Sequence, residues 1–220
     1  MLSGLGRCLR AWIADSKDPR SLAARFRRRR WAMFVRLCAP DPTVPLLDVG
    51  GVEGDTFAQL WAGRMIRANR DRNALRHASG PAVLADACHL PFRDGSVAVA
   101  FSNSVIEHVG EWPRQQQMAA EIRRVARRYF VQTPDRTFPL EPHYLLPWFQ
   151  YLPEPLQRRV HRLLPIGWIP RGRFEKVWLL SYHDLTSLFP DATLIRERFL
   201  GLSKSLYAVG PGNGLPSDRD

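Results

Sequence analysis

The residues able to do chemistry in this chain gather at the ends of apolar runs. Asp48-Val49-Gly50-Gly51-Val52-Glu53-Gly54 closes the run that starts at Val44. Glycines in such a turn allow positive φ and let a ligand lie against bare backbone. Their spacing, G-G-V-E-G, is not the G-x-G-x-x-G of a dinucleotide turn. Asp86 lies in the stretch VLADACHLPF, as a ligand-binding carboxylate or as a turn cap. The run VAVAFSNSV, from Val97, breaks into Ser102, Asn103 and Ser104, and Glu107 and His108 follow. His108 has the chemistry of a general base near neutral pH, or of a structural histidine bonded to its own loop. Further on, His143 and Tyr144 lie in a proline-rich aromatic loop, placed to touch a bound molecule.

Such residues need a scaffold that brings strand ends together. VAVAFSNSV is β-branched and almost continuously apolar, the mark of a strand buried on both faces of a parallel sheet. Polar residues at the carboxyl end of such a strand are where open α/β sheets keep their ligands. The same reading predicts strands over 44–49 and 64–68, ahead of Asp86, and over 129–132. Helices are predicted over 57–62, 114–127 and 154–164, and an antiparallel strand pair over 191–200 and 205–209. Residues 133–151 interleave aromatics and histidine with prolines, so they form neither a long helix nor a central strand. A proline-stiffened aromatic wall suits an apolar or ring-bearing ligand, or a lid packed on the core.

A chain of 220 residues fits one domain with a sizeable core. Hydrophobic content of 45% and charged content of 24% are ordinary for a soluble globular protein. No apolar run approaches the ~20 residues of a membrane span, and the opening residues lack the apolar core of a signal peptide. Cys8, Cys38 and Cys88 have neither metal-like spacing nor the number for a disulfide framework. Reduced thiols in a cytoplasmic protein, with no metal centre, are the expectation. Much of the +11 net charge is local. Arg25 and Arg27 to Arg30 run into Trp31, Met33 and Phe34, an amphipathic segment suited to peripheral contact with an anionic membrane. Arg123, Arg124, Arg127 and Arg128 read as a solvated helix face. The expected organisation is a helical cap or arm over 1–40, a main domain over 41–210 with an insertion at 133–180, and a flexible tail over 211–220.

LLDVGGVEGD (46–55), VLADACHLPFRDGSVAVAFSNSVIEHV (83–109) and EIRRVARRYFVQTP (121–134) follow one another in order. Together they resemble the class I S-adenosylmethionine-dependent methyltransferases, in the type 11-like branch that reads "GDA..LPF.D.SFD.V.S..V.EHV". The resemblance implies an α/β fold: a Rossmann-like, seven-stranded, mostly parallel sheet with helices on both faces and an antiparallel final strand. It implies S-adenosyl-L-methionine across the strand ends, held by Asp48, Gly50, Gly51, Gly54, Asn69, Asp86, Ala87 and Ser102. Val52 stands where most members carry the middle glycine, and Gly51 fits the subgroup with a Gly-Gly pair. Asn69 takes the place of the acid that holds the ribose hydroxyls, with Asp71 two residues on. Asp86 matches the acid that accepts from the adenine amino group, and Ala87 and Cys88 would offer backbone to the ring. Ser102 to His108 would floor the transferred methyl group.

His108, Glu107 and His143 are the catalytic candidates, Glu107 more as a brace for the loop or the cofactor's amino end than as a proton carrier. Many relatives need no strong base, because the sulfonium is already a good leaving group and alignment carries the acceleration. The function so implied is in-line methyl transfer to a small molecule or to the glycan or lipid part of a cell-envelope precursor. Two rivals stand beside it. RNA methylation is motivated by the charge, although Ser102-Asn103-Ser104-Val105 is unlike the N-P-P-Y tetrad of enzymes that methylate base nitrogens. A non-catalytic binding protein that keeps the fold is motivated by Val52 and Asn69.

Overall fold

The protein is described here by a computed structural model covering residues 21–52, 57, 60–76, 80–164, 166, 167, 169, 170 and 172–211. Cys8, Gly54, Trp168 and nearly all of the expected tail lie outside the described residues.

Burial on both sides makes the central strands. β1 (Leu46–Val49) is buried at every position, and β4 (Val97–Asn103) at all but Ala98 and Asn103. With β2 (Met65–Asn69), β3 (Ala82–Leu84), β5 (Ala126–Pro134), β8 (Thr193–Phe199) and β9 (Leu202–Gly210) they form one seven-stranded sheet, ordered β3-β2-β1-β4-β5-β9-β8. Neighbours from β3 to β5 pair in parallel, and β9 runs antiparallel to both β5 and β8. The last strand in the chain therefore enters the sheet between β5 and β8. The short hairpin of β6 (Leu140–Glu141) and β7 (Leu146–Pro147) stands apart.

Helices cover both faces. On one, α1 (Leu22–Cys38) sets Trp31, Phe34 and Cys38 against Phe101 and Phe130 of the sheet. Phe101 is fully buried there, with ring centroids of Phe34 and Phe57 at 5.0 Å and of Trp31 at 5.6 Å. Ser21 caps α1 by accepting from the Ala24 N–H at 3.0 Å, and Ala39 ends it in the left-handed region. The arginine run is thus part of a core helix, with Arg25, Arg28 and Arg29 exposed and its last member, Arg30, pointing inward. Arg30 donates to Gln132 Oε1 at 2.9 Å and to Asn103 Oδ1, and pairs with Glu197 at 3.6 Å. Its charge is buried because four partners surround it (Tyr207 is the fourth). The described part of 1–40 therefore packs against the sheet.

On the other face, α2 (Trp112–Val125) turns Met118, Ala119, Ile122 and Val125 inward at helical spacing, beside α4 (Tyr182–Leu188). Pro113 suits the first turn of α2, where an amide would lack a partner anyway. The segment between β5 and β9 also carries α3 (Glu154–Leu163). It builds a small core of its own from Tyr144, Leu146, Phe149 and Ile169. No helix among the described residues is long and apolar enough to cross a membrane.

Candidate functional site

Parallel register brings the carboxyl ends of β1, β2, β3 and β4 level. Val49 lies beside both Ala68 and Ser102, and Asn69 beside Leu84. The residues just beyond these positions, Gly50, Arg70, Asp86 and Ser104, consequently meet around one cavity of about 180 Å³. Ala68, Asn69, Ala85, Ala87, Val105, His108 and Val109 complete its lining.

The glycine turn has a specific steric origin. Gly50 has φ +83°, and a Cβ there would collide with the Val105 side chain. A Cβ on Gly51 would collide with the Asp48 carboxylate, which is itself buried. Asp48 therefore supports the turn from beneath. Asn69 braces it from the side: its Nδ2 donates to Gly50 O at 3.1 Å and Gly51 O at 3.0 Å. Its Oδ1 accepts from the Asp71 N–H at 2.9 Å, which fixes the amide orientation. Both Asn69 donors are spent on the turn, leaving one acceptor lone pair for a ribose hydroxyl.

Asp86 lines the cavity and sits in a defined electrostatic setting. Its Oδ1 accepts from the Cys88 N–H at 2.9 Å, and its Oδ2 from Arg114 Nη2 at 2.6 Å. Burial pushes its pKa up, but the Cys88 amide and the Arg114 guanidinium outweigh it and hold the carboxyl below the usual range. Two of its roughly four acceptor positions remain for a ligand donor. Ala87 also lines the cavity. Ser102 is buried inside β4, its Oγ without a hydrogen-bond partner among the described residues. Ser104, two residues on, is the serine that faces the cavity. It has φ +54°, and its Oγ donates to Gln132 Oε1 at 2.9 Å.

A second, apolar cavity of about 560 Å³ opens on the far side of Ser104. Leu22, Ala23 and Phe26 of α1 form one wall, Phe138, Leu140, Pro142 and Leu145 of the insertion another, with Arg30 and Lys204 at its edge. Tyr144 does not reach it. That ring is buried in the insertion's own core, its hydroxyl donating to Glu175 O at 2.6 Å.

The three catalytic candidates do meet. His108 Nε2 lies 3.1 Å from His143 Nε2, and Glu107 Oε1 lies 3.9 Å from the same His143 atom. Each imidazole has a carboxylate behind it: Glu175 Oε1 at 2.9 Å from His108 Nδ1, and Glu141 Oε1 at 2.7 Å from His143 Nδ1. Glu107 is fully buried, and its Oε2 accepts from Thr133 Oγ1 at 3.0 Å. Burial disfavours a charged His143, but Glu141, Glu107 and Glu175 outweigh it and raise its pKa. His108 raises the acidity of Glu175 in turn, against the opposing effect of burial. Glu141 was legible as the acid of Glu141-Pro142-His143, whereas Glu175 and Arg114 had no local signal. The free thiols stand outside this chemistry, since burial pushes Cys38 up to about 12 and Cys88 up to about 11.

Residues 47–129 match the family model described as "Methyltransferase domain". Over that segment, under half of its length, the chain is similar to methyltransferase domains. Over 93 residues it is 42% identical to an uncharacterized methyltransferase of Mycobacterium marinum, covering 37% of this chain and 34% of that protein. A Mycobacterium avium counterpart is 41% identical over the same length, with 37% and 35% covered. The match thus spans about a third of these curated relatives. In fold, the chain is similar to the PH0226 protein of Pyrococcus horikoshii, with TM-score 0.56 and 16% identity over 94% of this chain and 97% of that one. Geranyl diphosphate C-methyltransferase from Streptomyces coelicolor, solved with S-adenosyl-L-homocysteine, gives TM-score 0.53 at 11% identity, covering 85% and 81%. S-adenosyl-L-methionine is the cofactor that the sequence resemblance implies for such a fold. The bare Gly50–Gly51 backbone and the two free acceptor positions of Asp86 fit it.

Proposed function

We propose that this protein transfers the methyl group of S-adenosyl-L-methionine to an apolar or ring-bearing acceptor, either a small molecule or the glycan or lipid part of a cell-envelope precursor. One observation carries the reading: Ser104 lines both cavities, the polar one at the strand ends and the apolar one beyond it. A donor in the first and an acceptor in the second would face each other across a single residue. When bound, the cofactor supplies an electrophilic methyl on a sulfonium. The protein supplies position. Asp86 accepts from the adenine amino group, and the Gly50–Gly51 turn lets the cofactor approach bare backbone. The walls from α1 and the insertion exclude water from the acceptor. His108, at the edge of the strand-end cavity, is the residue placed to accept a proton from an acceptor hydroxyl or amine.

The test is isothermal titration with S-adenosylmethionine and S-adenosylhomocysteine, wild type beside Asp86→Ala. Binding near the micromolar range, about −8 kcal/mol, is expected. A hydrogen bond to a charged acceptor is worth about 1.5–3 kcal/mol, so the variant should bind at least tenfold more weakly. A folded wild type that binds neither compound would overturn the reading in favour of a non-catalytic scaffold. Steeply salt-dependent retention of RNA, in place of apolar acceptors, would redirect it to nucleic acid.

A further inference from the structure

Glu107, His108 and His143 present their ligand atoms to one another, all within 4.8 Å. The two histidines come from different parts of the chain, 35 positions apart, yet meet Nε2 to Nε2 at 3.1 Å. That contact poses a chemical problem. An ionised carboxylate only accepts hydrogen bonds, so Glu175 and Glu141 each require the Nδ1–H tautomer of the imidazole they face. With both imidazoles neutral, both Nε2 atoms then carry lone pairs that point at each other; a proton on His143 is one way to relieve that contact, and a metal ion is another. Beside them, Glu107 Oε1 is buried without a hydrogen-bond partner among the described residues, while Thr133 holds the other oxygen. With both imidazoles neutral, three electron-pair donors thus converge with no donor hydrogen between them.

We propose that this cluster binds a divalent transition-metal ion of the zinc class, with His108 Nε2, His143 Nε2 and Glu107 Oε1 as ligands. Two imidazoles and a carboxylate are an established donor set for such ions. On a tetrahedral zinc with bonds of about 2.0–2.1 Å, two nitrogen ligands lie about 3.3 Å apart, and the observed separation is 3.1 Å. Glu107 Oε1, 3.9 Å from His143 Nε2 and within 4.8 Å of His108 Nε2, needs to close by about half an ångström on the first and by up to about 1.5 Å on the second to reach the same geometry. Glu175 and Glu141 stand where outer-shell carboxylates orient metal-bound imidazoles through Nδ1. Trp178 N–H donates to Glu107 O at 2.9 Å, which ties the insertion to the same loop. A three-residue site leaves a coordination position open. His108 also lines the strand-end cavity, so an acceptor oxygen is a natural fourth ligand, and in the metal-loaded protein His108 would position that oxygen in place of taking its proton. That last role rests on the methyl-transfer reading, whereas ion binding does not.

The experiment uses tag-free full-length protein, freed of metal with a chelator and titrated with Co²⁺ and then Zn²⁺. One equivalent of Co²⁺ should give the visible absorption of a nitrogen–oxygen site, with no thiolate charge-transfer band, and Zn²⁺ should bleach it. His108→Gln/His143→Gln should abolish the signal. Glu175→Gln should weaken affinity by about 10–100-fold, as loss of an outer-shell partner does. A folded wild type that takes up neither ion overturns the proposal, as does uptake that survives in the double variant. If the double variant fails to fold, X-ray absorption of the wild-type cobalt form decides: two imidazole nitrogens support the site, and none or one refutes it. S-adenosylhomocysteine titration of the same sample, with and without Zn²⁺, keeps failure of the cofactor reading distinct from failure of the metal site.

Discussion

Asn69 stands where the family's pattern has an acid, so Asn69→Asp looks like a restoration. The structure predicts damage. Asn69 Nδ2 donates to Gly50 O and Gly51 O at 3.1 and 3.0 Å. A carboxylate in that position has no hydrogen to donate and sets an anionic oxygen against two carbonyl oxygens. Each lost bond is worth about 0.5–1.5 kcal/mol net, so the pair amounts to roughly 2 kcal/mol before repulsion is added. For a domain of this size that corresponds to a fall of roughly 4–8 °C in Tm. The turn it braces is the one proposed to carry the cofactor, so affinity for S-adenosylhomocysteine should fall about tenfold, the equivalent of 1.4 kcal/mol. Chemical denaturation and isothermal titration on wild type, Asn69→Asp and Asn69→Ser measure both quantities. Asn69→Ser should lose stability without the anionic repulsion and fall between the other two. Tighter binding by Asn69→Asp at unchanged Tm would show that the side chain serves the ribose and not the turn, and would refute the reasoning.

Gly51→Ala should cost about 1–3 kcal/mol, because the new Cβ must displace the Asp48 carboxylate. Gly80→Ala, whose Cβ would find only Met65 O at 3.5 Å, should change denaturation midpoints little. Equal effects at the two glycines would undo the steric account. Burial pushes the Lys204 ammonium down to about 8, with Glu197 at 3.6 Å offsetting part of the cost and Arg30 adding to it. Between that value and the ordinary lysine pKa of about 10.4, the unfolded chain holds a proton that the folded chain has released. Stability from this group therefore rises with pH across the window. Lys204→Met should be the more stable protein near neutral pH, its advantage shrinking as pH climbs above 8 in urea titrations. An advantage independent of pH would remove Lys204 as the cause.

The sequence alone determined the sheet and most of its rim. Strands buried on both faces must be continuously apolar, so Leu46–Val49 and Val97–Asn103 announce themselves. A turn with positive φ asks for glycine, so Gly50 could be placed without coordinates. Asp86 is carried by a motif whose spacing follows from the strand and turn on either side of it. Helix α4 is only seven residues long, too short for a periodic apolar signature, and its one local signal is the Ser181–Asp184 capping box. Only the tertiary structure decided which groups meet. Local pattern records burial and backbone dihedrals, but not which distant side chains share a space. Ser102 and Ser104 look alike in the sequence, yet the strand ends between them and the positive φ of Ser104 turns it to the cavity while Ser102 stays buried in the sheet. Arg30 belongs to a run of arginines, and the helix's rotation alone singles it out for burial. His108 and Glu175, 67 positions apart, are paired because the insertion folds back over the loop after β4. That fold-back brings two ordinary histidines face to face through Nε2 beside a buried carboxylate.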